Sequence, residues 1–168
     1  MTGLPAALGG DDGLFAWRLD QRLHAANWDS GEGAFRAGGR WNSKGVRVVY
    51  CAIDPATAIL EVAVHKGFRA LDTMPFVLTA ARISAIGEVR VVRREDVPNA
   101  NWLRPGTPSA GQVGFGDDLL RRHRFVAIPS VVSTYSWNLI FNPLAAKDLY
   151  SLHFQEPFAL DPRLHPRT

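Results

Sequence analysis

Residues 54–67 constrain this chain more tightly than any other stretch. Asp54 can cap a helix, Pro55 suits the first helical position, and Gly67 follows Lys66 where a left-handed stop is usual. A helix over about 55–66 is therefore predicted. At about 100° per residue, Ala58, Ile59, Leu60, Val62, Ala63 and Val64 leave almost no polar face, so this helix is expected to be buried nearly all round. Glu61 lies within it, in a narrow sector shared with Thr57 and His65. A carboxylate on a buried helix costs several kcal/mol by order of magnitude unless it is paired, neutralised or opens into a polar cleft. Glu61 is thus a candidate site residue, with a structural ion pair to an arginine as the alternative.

Two further segments lead into that helix. Gly38-Gly39-Arg40-Trp41-Asn42-Ser43-Lys44-Gly45 is a glycine-rich loop that presents an arginine. Val46, Val48, Val49 and Tyr50 are β-branched or aromatic and lie between Gly45 and Pro55, which reads as a strand over Val46–Tyr50. With Gly31 and Gly33 upstream, the glycine density exceeds what one turn needs and suggests a flexible entry at which backbone approaches a ligand closely. Neither G-x-G-x-x-G between a strand and a helix nor G-x-x-x-x-G-K-[ST] occurs, which excludes the Rossmann and P-loop readings.

A length of 168 residues suits one domain with a real core, and 46% hydrophobic with 21% charged residues is ordinary for a globular chain. The single cysteine, Cys51, excludes an internal disulfide framework and argues against a cysteine-based zinc site; a reducing cytoplasm is compatible with it. The five histidines lack ligand-like spacing, and no metal is expected. The first residues lack the basic start and apolar run of a signal peptide, no window approaches a membrane span, and residues 1–13 are expected to form a loose tail before a single domain over 14–168. Sixteen of the 19 cationic residues are arginine, the side chain that forks onto phosphate or carboxylate. Arg121-Arg122-His123-Arg124 is the densest basic cluster; it reads as the solvated end of a helix, with a nucleic-acid patch as the rival.

Strands are predicted at Leu14–Leu19, Pro75–Ile83, Glu88–Val92, Phe125–Ile128, Trp137–Phe141 and Leu149–Phe154, with a short turn of helix in 21–27 and a short helix over Gly116–Arg122. Residues 95–111 read as a long loop carrying Trp102 and Arg104. Strands with segregated helices imply an α+β fold, the strands split between two small sheets.

Arg18, Arg40, Tyr50, Glu61 and Ser130 gain meaning if the strands bring them together. Two arginines suit a pyrophosphate, a tyrosine offers a face to a flat heterocycle, a carboxylate offers negative charge or a general base, and a serine offers a hydroxyl. Such a set would fit NAD cleaved at the nicotinamide–ribose bond, whose oxocarbenium-like transition state a carboxylate stabilises. Each residue also has a plainer reading: Arg18 a surface charge, Tyr50 a core aromatic, Ser130 a turn residue at a strand end.

The sequence resembles the RES domain family, the toxin half of bacterial Xre–RES toxin–antitoxin modules, from about Leu14 to Arg163. The resemblance is carried by Trp17-Arg18, Gly31-Glu32-Gly33-Ala34, Gly38-Gly39-Arg40-Trp41-Asn42, Val48-Val49-Tyr50, Ala58-Ile59-Leu60-Glu61-Val62, Ile128-Pro129-Ser130 and Asn138-Leu139-Ile140-Phe141-Asn142-Pro143. It implies a fold like that of ADP-ribosyltransferases, NAD as substrate, and Arg40, Tyr50 and Glu61 as the catalytic set. It implies further that Arg18, Gly39, Trp41, Asn42 and Ser130 contribute to NAD binding. By the same resemblance Arg40 would hold the phosphates, Tyr50 would pack on the nicotinamide end, and Glu61 would stabilise the ribosyl cation. A cognate Xre-type antitoxin that occludes the site is implied, with DNA contacted only through that partner, and a homo-oligomer is compatible with the family. Where many relatives follow Asn-Pro with a His-Pro-like pair, this chain has Leu144-Ala145-Ala146-Lys147. The acceptor stays open between water, phosphate and a protein side chain. A mono-ADP-ribosyltransferase and, from another class, a basic nucleic-acid-binding module without catalysis are the competing readings.

Overall fold

Strand β1 (Leu14–Gln21) lies inside the sheet and sends alternate side chains to its two faces. The computed structural model describes residues 13–165; of the expected tail only Gly13 falls among them, and 166–168 also lie outside. β1 pairs antiparallel with β3 (Phe76–Ile83) over eight residues, and β3 pairs with β7 (Tyr150–Phe158) around a bulge at Ala80/Ala81. On the other side β2 (Val49–Ala52) joins β6 (Trp137–Phe141), which joins β5 (Phe125–Pro129), which runs parallel to β4 (Val89–Val91).

The strands form one seven-stranded mixed sheet in the order β4-β5-β6-β2-β1-β3-β7, not two small sheets. Strand lengths can be read from sequence, but which edges meet cannot. Here the two arms meet at one residue pair, Trp17 opposite Ala52. The α+β class stands, with helices α1 (Glu32–Ala37), α2 (Pro55–Lys66), α3 (Phe68–Thr73) and α4 (Ala110–Arg122) around that sheet.

Three apolar clusters hold these layers. Phe125, Ala127, Leu139, Phe141, Val49 and Cys51 fill one face of the sheet with Trp28 and Leu14. Val126, Ile128 and Ile140, one residue out of step, face the other way, onto Trp41, Leu119 and Leu120. Leu19, Phe76 and Leu78 pack under Ala63 of α2 and Leu71 of α3.

Helix α2 has the predicted ends: the Asp54 side chain accepts from the Thr57 amide at 2.8 Å, Pro55 opens it, and Gly67 closes it at φ +80°. It is not buried all round. Thr57, Ala58 and Ala63 are buried, whereas Leu60 is 36% and Val64 62% exposed. The helix rests on one face of the β1 arm, so Ala56, Leu60 and Val64, four residues apart, form an outer stripe. β2 begins three residues later than predicted, because the Val46 carbonyl is taken by the Asn42 side chain. Residues 32–37 of the expected flexible entry are the short helix α1. α4 starts six residues before its predicted start, capped by Ser109. The long 95–111 segment is drawn in by turns of 3-10 helix at Arg94–Asp96 and Ala100–Leu103, and Trp102 packs against Phe115.

Candidate active site

Glu61 extends from α2 toward the ends of β5 and β6. Its Oε1 accepts from the Ser130 hydroxyl at 2.9 Å and from Asn138 Nδ2 at 2.8 Å. Among the described residues no salt bridge involves Glu61, which removes the ion-pair alternative. Ser130 is only 1% exposed, and its oxygen also accepts from the amides of Val132 (3.1 Å) and Ser133 (2.9 Å). The loop after β5 is tied to α2 a second time: Ser136 and Thr57 both donate to Asp54 Oδ2, at 2.7 Å each. Partial burial of Asp54 acts to raise its pKa, but the donors from Thr57 and Ser136 outweigh it and hold the carboxyl below its usual value.

The arginine loop is a second cluster. Asn42 is buried; its Nδ2 donates to the carbonyls of Ala34, Ser43 and Val46, and its Oδ1 accepts from the Tyr50 hydroxyl at 2.8 Å. That same hydroxyl accepts from the Trp41 amide at 3.0 Å. At Gly39 an added Cβ would lie 2.7 Å from both Asn42 Oδ1 and the Tyr50 hydroxyl. Trp41 is 1% exposed and packs into the core beside Phe115. Ser43 is bound to Asp117 of α4 through both its amide (3.0 Å) and its hydroxyl (2.5 Å). With Trp41 and Asn42 fixed inward, Arg40 between Gly39 and Trp41 points along the 102–106 segment. Its Nη1 donates to the carbonyls of Trp102 (3.5 Å) and Arg104 (3.3 Å), and its Nη2 to that of Gly106 (3.2 Å). Of five guanidinium N–H groups, one on Nε and one on Nη2 have no partner among the described residues.

Tyr50 and Asn138 place the two clusters side by side. Tyr50 opposes Ile140 and Ala52 opposes Asn138, so Tyr50 and Asn138 are diagonal neighbours on one sheet face, roughly 7–8 Å apart. Burial pushes the Tyr50 phenol well above its ordinary pKa, so it stays neutral. Arg18 bonds Asp20 at 2.6 Å and, with Nη1, the Tyr50 carbonyl at 2.7 Å, in the gap where β1 and β2 part. Arg40, Tyr50 and the loop residues Gly39, Trp41 and Asn42 are thus one unit, Glu61 and Ser130 another, with Arg18 behind the tyrosine.

Asn138 opens one of the motifs that carry the resemblance but is not among the candidate site residues, although an asparagine interrupting an apolar strand is a signal in its own right. Asp117 gave no such signal. The rival basic cluster is engaged within the chain: Arg121 and Arg122 both pair with Asp118, and Arg124 donates to the Ala145 carbonyl at 2.9 Å.

Comparison with known proteins identifies the family. A family model described as RES domain matches residues 15–162. The chain is 32% identical over 133 residues to a Prs ADP-ribosylating toxin of Sphingobium sp. (strain YBL2), covering 76% of this chain and 81% of that protein. It is 30% identical over 156 residues to a Toxin Res of Yersinia enterocolitica, covering 90% of this chain and 99% of that one. Among solved structures it superimposes on a chain of the MbcT–MbcA toxin–antitoxin complex of M. tuberculosis with a TM-score of 0.69 at 17% identity, over 87% of this chain and 84% of that chain.

Proposed function

The chain belongs to the RES domain family, and from that premise we propose that it is the toxin of a toxin–antitoxin pair and cleaves the nicotinamide–ribose bond of NAD. The observation that carries this reading is the state of Glu61: a carboxylate on a helix, held by a hydroxyl and an amide rather than by a cation. A carboxylate left unneutralised by an arginine keeps its charge for a developing cation. In the reaction, the bond between the ribose carbon and the nicotinamide nitrogen breaks, and nicotinamide leaves with the bonding pair. Glu61 faces the positive charge that develops on the ribose. Water or phosphate then adds to that carbon through an oxygen lone pair and releases its proton to solvent.

Arg40 supplies the anion site. Three carbonyls hold one side of its guanidinium, and its two open N–H groups suit phosphate oxygens. Tyr50, neutral and fixed, contributes an aromatic face and the rigidity of the loop rather than a proton. Trp41, Asn42 and Gly39 serve NAD binding by holding Arg40 in place, and Arg18 by holding the tyrosine's backbone.

A second acceptor is favoured by one finding, the name of the Sphingobium relative, an ADP-ribosylating toxin. On that reading the same site passes ADP-ribose to a protein side chain. An antitoxin partner is supported by the MbcT–MbcA complex, in which the structural relative is found, and the proposed use of NAD as substrate is in keeping with action in the cytoplasm.

The test is NAD consumption by purified, antitoxin-free protein, with and without phosphate. Nicotinamide release is expected in the wild type and its loss in folded Glu61→Gln. Free ADP-ribose, its phosphorylated form or labelled protein would name the acceptor. Release that persists in Glu61→Gln would overturn the role of the carboxylate.

A further inference from the structure

We propose that Asn138 is the positioning residue for Glu61, acting with Ser130 as a two-donor clamp on one carboxylate oxygen; this rests on the catalytic role of Glu61 argued above. Hydrogen-bond valence leads to it. Ser130 Oγ accepts from two backbone amides, Val132 N and Ser133 N, so both its lone pairs are occupied. Its only proton must go to the third neighbour, Glu61 Oε1. Asn138 can approach an ionised carboxylate only through Nδ2, since a carboxylate accepts and does not donate. Both donors converge on Oε1 and none on Oε2 among the described residues, which fixes the carboxylate plane and leaves one oxygen to face the substrate.

The two donors differ in exposure. Ser130 is buried, whereas Asn138 is half-buried and stands on the sheet face shared with Tyr50. Asn138 is therefore the donor at the boundary between the core and the reacting groups. It acts through Glu61, so its loss should change turnover rather than affinity. A misplacement of about 1 Å in such a group can cost on the order of 100-fold in rate.

The experiment compares Asn138→Ala and the near-isosteric Asn138→Asp with wild type, all shown to be folded by circular dichroism and thermal melting. In Asn138→Ala, kcat for nicotinamide release should fall by about 10- to 100-fold with KM for NAD unchanged. In Asn138→Asp two carboxyls face each other, and like charges disfavour joint ionisation. Its activity should be lowest at neutral pH and recover as pH falls, when one carboxyl gains a proton and can donate it to the other. Neither wild type nor Asn138→Ala should show that acid recovery. An unchanged kcat in Asn138→Ala, or a pH profile of Asn138→Asp parallel to that of wild type, would overturn the clamp.

Two readouts separate failure of the clamp from failure of the NAD reading. Growth arrest on expression in a bacterial host assumes no substrate. Wild type that arrests growth without releasing nicotinamide would remove NAD as substrate, and undiminished arrest by Asn138→Ala would then overturn the clamp. The side-chain amide of Asn138 in a 15N-labelled sample assumes no activity at all: it should shift in Glu61→Gln, and an unmoved resonance would overturn the proposal.

Discussion

Two hydrogen bonds meet at the Tyr50 hydroxyl, and the peptide next to Arg40 depends on both. The phenol donates to Asn42 and accepts from the Trp41 amide, so one side chain satisfies two otherwise buried groups in the arginine loop. Tyr50→Phe keeps the ring and removes both bonds. It is expected to cost about 1–3 kcal/mol in chemical denaturation, the penalty for unpaired buried polar groups. It should also weaken NAD binding, because the carbonyls around Arg40 no longer meet a fixed partner. Equal stability in the two proteins would show that the hydroxyl does not hold the loop. The pH dependence follows from the phenol's pKa, which burial raises in the folded chain above its ordinary value of 10.0. The unfolded chain therefore loses this proton first, so the contribution of Tyr50 to stability is full below about pH 10 and declines above it. Arg40, Tyr50 and Glu61 come together as a set only through the family resemblance; of the three, local pattern marks Glu61 most, as a carboxylate on an otherwise apolar helix. Asn138 is marked in the sequence only as an asparagine in an apolar strand and Asp117 not at all, because a single amide or carboxylate acquires a role only from the residue it meets across 77 or 74 positions.

At the scale of the element, α2 and α4 show what makes a helix legible. Asp54, Pro55 and Gly67 announce the ends of α2, and all three act there as their chemistry dictates. Its burial was less legible, since an apolar stripe does not say whether a partner element lies over it; Leu60 and Val64 have none within the described chain. The first half of α4 is hidden by Gly111 and Gly114, poor helix formers that read as loop ahead of the predicted start at Gly116. Gly116 is there for packing: a Cβ would sit 2.0 Å from the Trp41 carbonyl oxygen, which is backbone of the arginine loop and cannot turn aside. Gly114 is exposed, with nothing within 4 Å of such a Cβ. The same substitution should therefore have opposite signs two residues apart. Gly114→Ala should stabilise by about 0.5–1 kcal/mol through helix propensity, and Gly116→Ala should destabilise by at least about 1–3 kcal/mol through overpacking. Thermal melting of the two variants decides it. A neutral Gly116→Ala would mean that α4 does not hold the loop as closely as its backbone contact indicates.

The whole molecule turns on the seam between its two sheet arms. Trp17 opposite Ala52 is the one residue pair that joins β1 to β2, whereas β1 and β3 pair over eight. That weak join is why the strands could be predicted singly while their sheet could not. The proposed chemistry straddles it: α2 rests on the β1 arm through Leu19 and Ala63, yet Glu61 reaches across to Ser130 and Asn138 of the other arm. Arg18 makes a second crossing, from β1 to the Tyr50 carbonyl. If the arms moved apart, Glu61 and Tyr50 would separate with them, so holding the seam is part of holding the site. Arg18→Met keeps the apolar stem and removes the charged donor, and a hydrogen bond to a charged group contributes about 1.5–3 kcal/mol. Hydrogen exchange should then quicken in the amides of β2 and β6, while those paired between β3 and β7 keep their protection. Exchange that quickened evenly over both arms would indicate a uniform loss of stability and deny Arg18 its place at the seam. Local loosening accompanied by a lower turnover would show that this arginine serves the site by keeping two halves of one sheet in register.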